Sequence, residues 1–397
     1  MSIWSYFTGL FSVQPATVEV AARDVATGES VDEGDALALS SVYACTRLIA
    51  GTEAYLPVNV VGPGRTSGMN EVHYDHPAHR LLHYSPGDEL TPFDFFELSG
   101  ASLELKGNSL ARKEMIGGRT VAVEPMPWDE CRVWRNSDGE LRYDWDGSTY
   151  RPEEVLHIRG FGRDRRRLGG LSTIAVAAST FGLAKAINKS AGSVFRNGIS
   201  SNIALMSERD LDEKQMADAR AKVQERYGSA LNAGRPLILN HGWKSESLSI
   251  NPEDAQMLES RGFSVEDVCR FFAVPPFLIG HTEKTSSWGS GVEQAVLGFQ
   301  KFGLGPRLRR IEQSLGKQLL NAEDMARGLK IEFNLEGLLR GDSVGRAKFY
   351  QTMSQIGAMT INEIRSKENL SPVPGGDVPR MQMQNVPITE AGGLPEN

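Results

Sequence analysis

The run CRFFAVPPFLIGHTEKTSSWGSG, residues 269–291, forces a stop between two helices. Proline has no backbone N–H to donate and pushes the residue before it out of the α region, so no α-helix passes through Pro275 and Pro276. A short apolar patch, FLIG, follows. The chain then turns polar through His281, Glu283, Lys284, Thr285, Ser286, Ser287 and Trp288, before Gly289 and Gly291 loosen the backbone. A second apolar period begins at once on the far side. Whatever this chain folds into must present that polar loop at the junction of two helices.

Both helices are long by their apolar spacing. The first starts at Asn251-Pro252-Glu253-Asp254, where a capping residue, a proline at the first helical position and two acids at the positive end of the dipole coincide. It runs to Val274, as one helix or as a pair broken near Gly262. The second, residues 291–320, carries an apolar line through Val292, Ala295, Val296, Phe299, Phe302, Leu308, Ile311, Leu315 and Leu319. Gly303, Gly305 and Pro306 fall in its middle, and an internal proline predicts a bend there. Upstream, residues 169–198 make a helical run rich in Ala and Ser and without any acid, whose small side chains permit close packing. The stretch between, 198–251, alternates as a strand, a helix capped by Ser207, and two more strands.

The rest of the chain is mixed. Residues 12–40 are polar and weakly periodic and predict a mobile lead-in. SVYACTRLIAGTEAYL has helical spacing through Val42, Cys45, Leu48 and Ile49; LPVNVVG reads as a strand and GPGRTSG as a hairpin tip. Two helices follow, the second with Thr91 as N-cap, Pro92 at the first helical position and Asp94 in the first turn. From Asn108 to Ile158, short alternating runs separated by Gly and Asp predict a small antiparallel sheet. LKIEFNLEGLLRGD supplies another strand, residues 342–356 a helix, and Thr360 with Glu363 a capping box for a short helix to Glu368. The Pro/Gly-rich end predicts disorder. The class is α+β.

Apolar residues make up 40% and charged residues 23% of the 397, an ordinary globular balance in a chain long enough for several domain-sized units. Cys45, Cys131 and Cys269 are far apart with no C-x-x-C, which argues against a disulfide framework or thiolate zinc site and fits a reducing cytoplasm. The start, MSIWSYFTGLFSV, lacks the basic region and cleavage pattern of a signal peptide, and no apolar window predicts a membrane span. No H-E-x-x-H, G-x-S-x-G or phosphate loop occurs; Gly316-Lys317 is followed by Gln318 in mid-helix. His76, His79 and His83 share a helix face, with His73 just upstream. No fixed acid or thiol beyond Asp75 completes a metal site, so they read as surface or packing residues. No catalytic residue, metal or cofactor is expected. The net charge of −7 speaks against a coat for nucleic acid, yet Arg159 to Met206 holds eight Lys/Arg against the single acid Asp164. Arg163, Arg165, Arg166, Arg167, Lys185 and Lys189 belong to that basic segment, either a solvated face or a surface that meets acidic partners.

Several stretches, in their order and spacing, resemble the portal proteins of tailed bacteriophages, in the siphophage-type branch: HPAHRLLHYSP, GGLSTI, VFRNG, ERYGSALNAGRPLILNHG, NPEDAQMLESRGFSVEDVCRFFAVPPFLIG and GAMTINEIRSKENL. The resemblance runs from about Ser40 to Gly376. It implies a mobile segment at 1–39, an α/β wing at 40–170, a stem helix at 171–197, an α/β clip at 198–251 and a second stem helix at 252–276. It further implies a tunnel loop at 277–291, a long kinked wing helix and strand at 292–340, a helical crown at 341–376 and a disordered tail at 377–397. Such a protein is made in the host cytoplasm and forms a homo-oligomeric ring, typically of twelve subunits, at one capsid vertex of the virion. Double-stranded DNA passes through it without sequence specificity in packaging, retention and ejection. The implied partners are the terminase large subunit, the major capsid or scaffold protein and a head–tail adaptor protein, with no membrane.

By the same resemblance His281, Glu283, Lys284, Thr285, Ser286, Ser287 and Trp288 face the DNA, and the basic segment contacts capsid, scaffold or DNA. Family portals often have Gly where Ala273 stands, a departure read as conservative. Two other readings stay open: a DNA-processing enzyme of the nuclease kind, which needs clustered acids, and a head–tail adaptor ring, which is usually much shorter.

Overall fold

A computed structural model of the chain describes residues 22–23, 30–64, 70–164, 167–197, 203–207, 212–218, 221, 243–247, 265–282, 290–335, 343–368 and 370–379. They divide into a unit up to Glu332 and a unit from Phe333 onward. Order begins earlier than the polar sequence predicts. β1 (Ala22–Arg23) pairs with β2 (Ser30–Val31), and Asp32 and Asp35 close a capping box on α1 (Glu33–Leu37). Val31, Ala36 and Leu39 are buried in the main core, so this part of the expected mobile lead-in is a packed element. Its apolar residues are too few to show a period; tertiary burial decides their state.

α2 (Ser40–Tyr55) turns Val42, Cys45 and Ile49 inward at helical spacing. β3 (Val58–Pro63) and β4 (Asn70–Val72) form the expected antiparallel hairpin. α3 (Pro77–His83) is capped by His76 Nδ1, which accepts the Ala78 N–H at 3.1 Å. Its imidazoles are used separately: His79 and His83 stack with centroids 4.8 Å apart, while His76 Nε2 lies 3.2 Å from Asp324. α4 (Pro92–Lys106) opens on Thr91, the expected N-cap, which Asp94 completes into a capping box, and ends at Gly107.

The alternation from Asn108 to Ile158 builds two sheets where one was expected. β5 (Asn108–Ile116) pairs with β6 (Arg119–Met126). β7 (Arg132–Arg135), β8 (Leu141–Trp145) and β9 (Ser148–Tyr150) form a separate meander, and β10 (Val155–Arg159) returns antiparallel to β5. Buried His157 joins the two sheets, with Nδ1 3.0 Å from the Tyr143 hydroxyl and Nε2 3.1 Å from Asn108 Oδ1. Asn108 Nδ2 donates to the Lys106 carbonyl, so its Oδ1 accepts; Nε2 of His157 therefore carries the proton and Nδ1 accepts from Tyr143. Burial holds His157 well below its ordinary pKa, and the ring stays neutral.

α5 (Thr173–Val176) and α6 (Ala178–Asn197) carry the acid-free run, broken at Ala177. Just before them, a Cβ on Gly170 would stand 2.3 Å from the Gly107 carbonyl oxygen, which leaves room for glycine only. β11 (Ile203–Ser207) pairs antiparallel with β12 (Trp243–Ser247). Ser207 ends the strand and does not cap the helix; Asp212 does, accepting the Gln215 N–H at 2.7 Å ahead of a helical stretch at 213–218. The strand expected at RPLILNHG and the helix start at Asn251 lie outside the described residues.

α7 covers 265–272. After the loop, α8 (Ser290–Gly298), a π-helical turn (Phe299–Leu304) and α9 (Gly305–Leu319) run on without a break. α10 (Ala322–Ala326) and β13 (Lys330–Phe333) follow, and β13 extends the hairpin in the order β13-β3-β4. The main core gathers α2, α6 and α7 around Phe181 and Phe272. The Gln318 amide of α9 mimics a strand toward the open edge of β10. Its Oε1 accepts the His157 N–H at 2.8 Å and its Nε2 donates to the His157 carbonyl at 3.0 Å.

The second unit holds α11 (Ser343–Gln355) and α12 (Ile361–Lys367), the latter on the expected Thr360–Glu363 capping box. Asn362 ties down the residues after α12 through hydrogen bonds with Val373 and Asp377, and Arg346 pairs with Glu368 at 2.9 Å.

Candidate functional site

α7 stops before the prolines reach it. Ala273 is left-handed at φ 51°. The Val274 N–H donates to the Cys269 carbonyl at 3.0 Å, and the Ala273 N–H to the Arg270 carbonyl at 3.2 Å. These two bonds are the Schellman arrangement, with buried Val274 and Cys269 as its apolar contact. The expectation that Pro275 and Pro276 end the helix is corrected: a left-handed residue ends it, and the prolines set the exit path. Pro275 is extended, and Pro276 opens a 3-10 turn, Pro276–Ile279, closed by left-handed Gly280.

The alanine is therefore not a conservative departure from glycine. A left-handed residue with a Cβ costs about 1–2 kcal/mol, partly offset by the entropy glycine loses on folding. Ala273→Gly is expected to stabilise the fold by about 0.5–1 kcal/mol in denaturant unfolding. An unchanged or lowered midpoint would show that the cap carries no strain.

The π turn brings α9 against this cap. At Gly303 a Cβ would stand 3.1 Å from the Ala273 carbonyl oxygen and 2.7 Å from the Phe299 ring. Arg307 fastens the contact. Its Nη1 donates to the Gly303 carbonyl at 2.8 Å, and its Nη2 to the Phe272 carbonyl at the end of α7 at 2.9 Å. Nε and Nη2 also hold the Glu104 carboxylate of α4 at 2.7 and 2.8 Å, a bidentate pair whose side chains are only 16% and 11% exposed. Burial opposes the Arg307 charge, but Glu104 more than restores it, and its pKa stands above the ordinary value. Glu53 of α2 lies nearby, 2% exposed. Burial, reinforced by Glu104, pushes its carboxyl up to about 8, and its Oε2 has no hydrogen-bond partner among the described residues.

Where Gly303, Gly305 and Pro306 predict a bend, the helix carries a π turn, Phe299–Leu304, that holds Gly303, and Gly305 and Pro306 open α9 beyond it. One extra residue in a turn rotates the downstream residues by about 100°. Phe302 thereby leaves the buried line assigned to it from periodicity and is 74% exposed, while Phe299 and Leu304 stay buried.

Of the loop residues, half-buried His281 is described, its N–H donating to the Pro276 carbonyl at 3.1 Å. Glu283, Lys284, Thr285, Ser286, Ser287 and Trp288 lie outside the described residues. In the basic segment Arg163, Arg167 and Lys189 are exposed, and Arg165 and Arg166 lie outside. Lys185 is ion-paired with Asp35 at 2.8 Å, a link from α6 to α1. Sequence reasoning passed over Arg307, Glu104 and Glu53. The signal was a charge on an apolar stripe: Glu53 follows Ile49 by four positions, and Arg307 sits between Leu304 and Ile311. Among the described residues no cluster of three or more His, Cys, Asp or Glu is placed to hold a metal ion, and no helix is long and apolar enough to cross a membrane.

The described residues mix helices with small antiparallel sheets, the α+β class that the sequence resemblance implies. The chain belongs to the phage portal protein family, which it matches over residues 40–369. Its role is that of a portal protein of a tailed phage, a virion component. It is 35% identical to the portal protein of Enterobacteria phage HK97, covering 98% of this chain and 93% of that one. It is 30% identical to the probable portal protein of Streptomyces phage phiC31, covering 88% and 79%. The fold is also similar to a chain in the neck of a native gene transfer agent particle computed with C12 symmetry. That match has a TM-score of 0.58 at 20% identity, covering 85% of this chain and 92% of that one.

Proposed function

We propose that copies of this chain close a ring through which duplex DNA passes, and that the loop at 277–291, with His281, Glu283, Lys284, Thr285, Ser286, Ser287 and Trp288, borders the bore. The observation that carries this reading is the rigid frame of the loop. On one side stand the Schellman cap and the 3-10 turn; on the other, α8 and the π turn; and Arg307 binds carbonyls of both helices. Both ends of the polar loop are thereby held at fixed positions. Residues 171–197 and 252–276 then form the stem around a clip at 198–251, with the wing, crown and tail as the family division implies.

The chemistry of the loop suits a conduit. DNA carries about one charge per 1.7 Å of axis, and each neutralised phosphate adds affinity. A ring multiplies every side chain by its copy number, so uncompensated lysines would grip DNA too tightly for it to slide. Glu283 beside Lys284, among hydroxyls, gives a weak contact without sequence preference. The role is mechanical, with no chemical step. Outer faces of the ring dock the terminase large subunit, the capsid or scaffold protein and a head–tail adaptor.

Light scattering and negative-stain images of the purified chain are expected to show a ring with a central hole; a monomer or dimer under all conditions overturns the reading. Within intact rings, the Lys284→Ala, Trp288→Ala double variant is expected to lower DNA filling or retention several-fold in a packaging assay. Unchanged filling and retention would remove the loop from the bore.

A further inference from the structure

Beside Arg307 opens a cleft of about 410 Å³ that no part of the proposed DNA path uses. Its lining combines two kinds of surface. Phe161, Phe271 and Phe302 stand around it, and Phe161 and Phe302 are 76% and 74% exposed. Aromatic rings gathered in water around one opening mark a contact surface, since scattered exposed apolar residues need no such grouping. Glu53 and Arg310 line the same cleft, and each lacks something.

Arg310 is half-buried and makes no hydrogen bond or ion pair among the described residues. Burial and the neighbouring Arg307 guanidinium both work against its charge, and Glu104, already engaged by Arg307, makes no hydrogen bond to it. The Glu53 carboxyl is the second polar group on the cleft wall; its Oε2 is sealed against Gly100 of α4, which leaves only the rest of the carboxyl to meet an incoming group. At neutral pH the Glu53 carboxyl holds its proton and is a donor without an acceptor. Among the described residues no carboxylate hydrogen-bonds Arg310, and Glu104 and Glu53 only partly offset the cost of its burial; one anionic oxygen group in the cleft would supply the missing partner. A carboxylate on an apolar segment answers the cleft and its aromatic surround together.

The source of that carboxylate comes from the ring. In a closed ring each copy meets the next through two different surfaces, so a socket on one and a projection on its neighbour are matched at every interface. The chain carries 50 Asp and Glu against 43 Lys and Arg, and a second copy brings a surplus of acids to a socket whose arginine is unpaired. Resting on the ring reading, we propose that the cleft between Glu53, Arg310 and Phe302 is a subunit socket that takes a carboxylate-bearing apolar segment of the adjacent copy.

Ring assembly of the full chain, followed by native mass spectrometry against protein concentration, tests this. Arg310→Glu and, separately, Phe302→Ala are expected to raise the concentration for half-assembly at least about tenfold, which is about 1.4 kcal/mol. Arg310→Lys is expected to recover part of the loss. Phe302 is exposed, so its variant decides the matter if Arg310→Glu fails to fold. If the wild type forms no ring, the ring reading itself fails. Wild-type rings matched by equally stable variant rings would overturn the socket. Variant rings that assemble normally but release DNA would also overturn it, assigning the site to a phosphate of the nucleic acid instead.

Discussion

Arg307→Ala is expected to destabilise the first unit by about 3–5 kcal/mol, the cost of removing one partner from a buried ion pair. The guanidinium serves three acceptors at once: the Glu104 carboxylate and the Gly303 and Phe272 carbonyls. Truncation leaves Glu104, 11% exposed, as an uncompensated charge, and strands two carbonyls at a helix end and a π turn. Arg307→Lys is expected to recover little, because an ammonium cannot span a bidentate carboxylate and two carbonyls that a planar fork reaches together. The Arg307→Met, Glu104→Leu double variant is expected to regain much of the loss, since an apolar pair of similar volume avoids the desolvation cost of two buried charges. Denaturant unfolding at protein concentrations too low for assembly measures each. A loss under about 1 kcal/mol for Arg307→Ala would mean that the pair is solvated in solution.

The same residue shows where sequence reasoning stops. The N-cap at Thr91 and the capping box at Thr360 were legible because their chemistry is local: a hydroxyl satisfies the backbone N–H groups of the first turn whatever surrounds it. The β3–β4 hairpin was legible for a similar reason. The π turn was not: Gly303 within it packs close to Ala273 across the junction, a tertiary contact that no periodicity encodes. Missing it put Phe302 on the wrong face.

The double proline drew attention to the right place but to the wrong cause. Ala273 is the left-handed residue of a Schellman cap, and only the comparison with glycine at that position hinted at it. The two sheets between Asn108 and Ile158 alternate alike, and only the hydrogen-bonded registers show which strands belong together. Glu53, Glu104 and Arg307 were visible as charges on apolar stripes, yet a lone stripe violation does not name its partner.

Glu53→Gln is expected to flatten one limb of the stability–pH curve. The folded carboxyl titrates near 8, against 4.5 for an exposed one. Between those values the folded chain keeps a proton that the unfolded chain has released, so stability falls as pH rises. The contribution is fully present below about pH 4.5 and lost as pH passes 8. At about 1.4 kcal/mol per pKa unit, the window amounts to roughly 3–5 kcal/mol. His157, His79 and His76 act oppositely: burial lowers each pKa, and their contribution is lost as pH falls below 6.5.

The difference between wild type and Glu53→Gln cancels the histidines and isolates the carboxyl. The two are expected to agree within about 1 kcal/mol near pH 5, and the variant to be more stable by roughly 3 kcal/mol at pH 8.5. Parallel profiles would show that the carboxyl ionises normally. A neighbour's carboxylate seated in the cleft favours the protonated acid further, because two like charges cannot both be ionised there cheaply. Wild-type rings are therefore expected to loosen above pH 8 while Glu53→Gln rings hold, which ties the buried proton to the contact between copies.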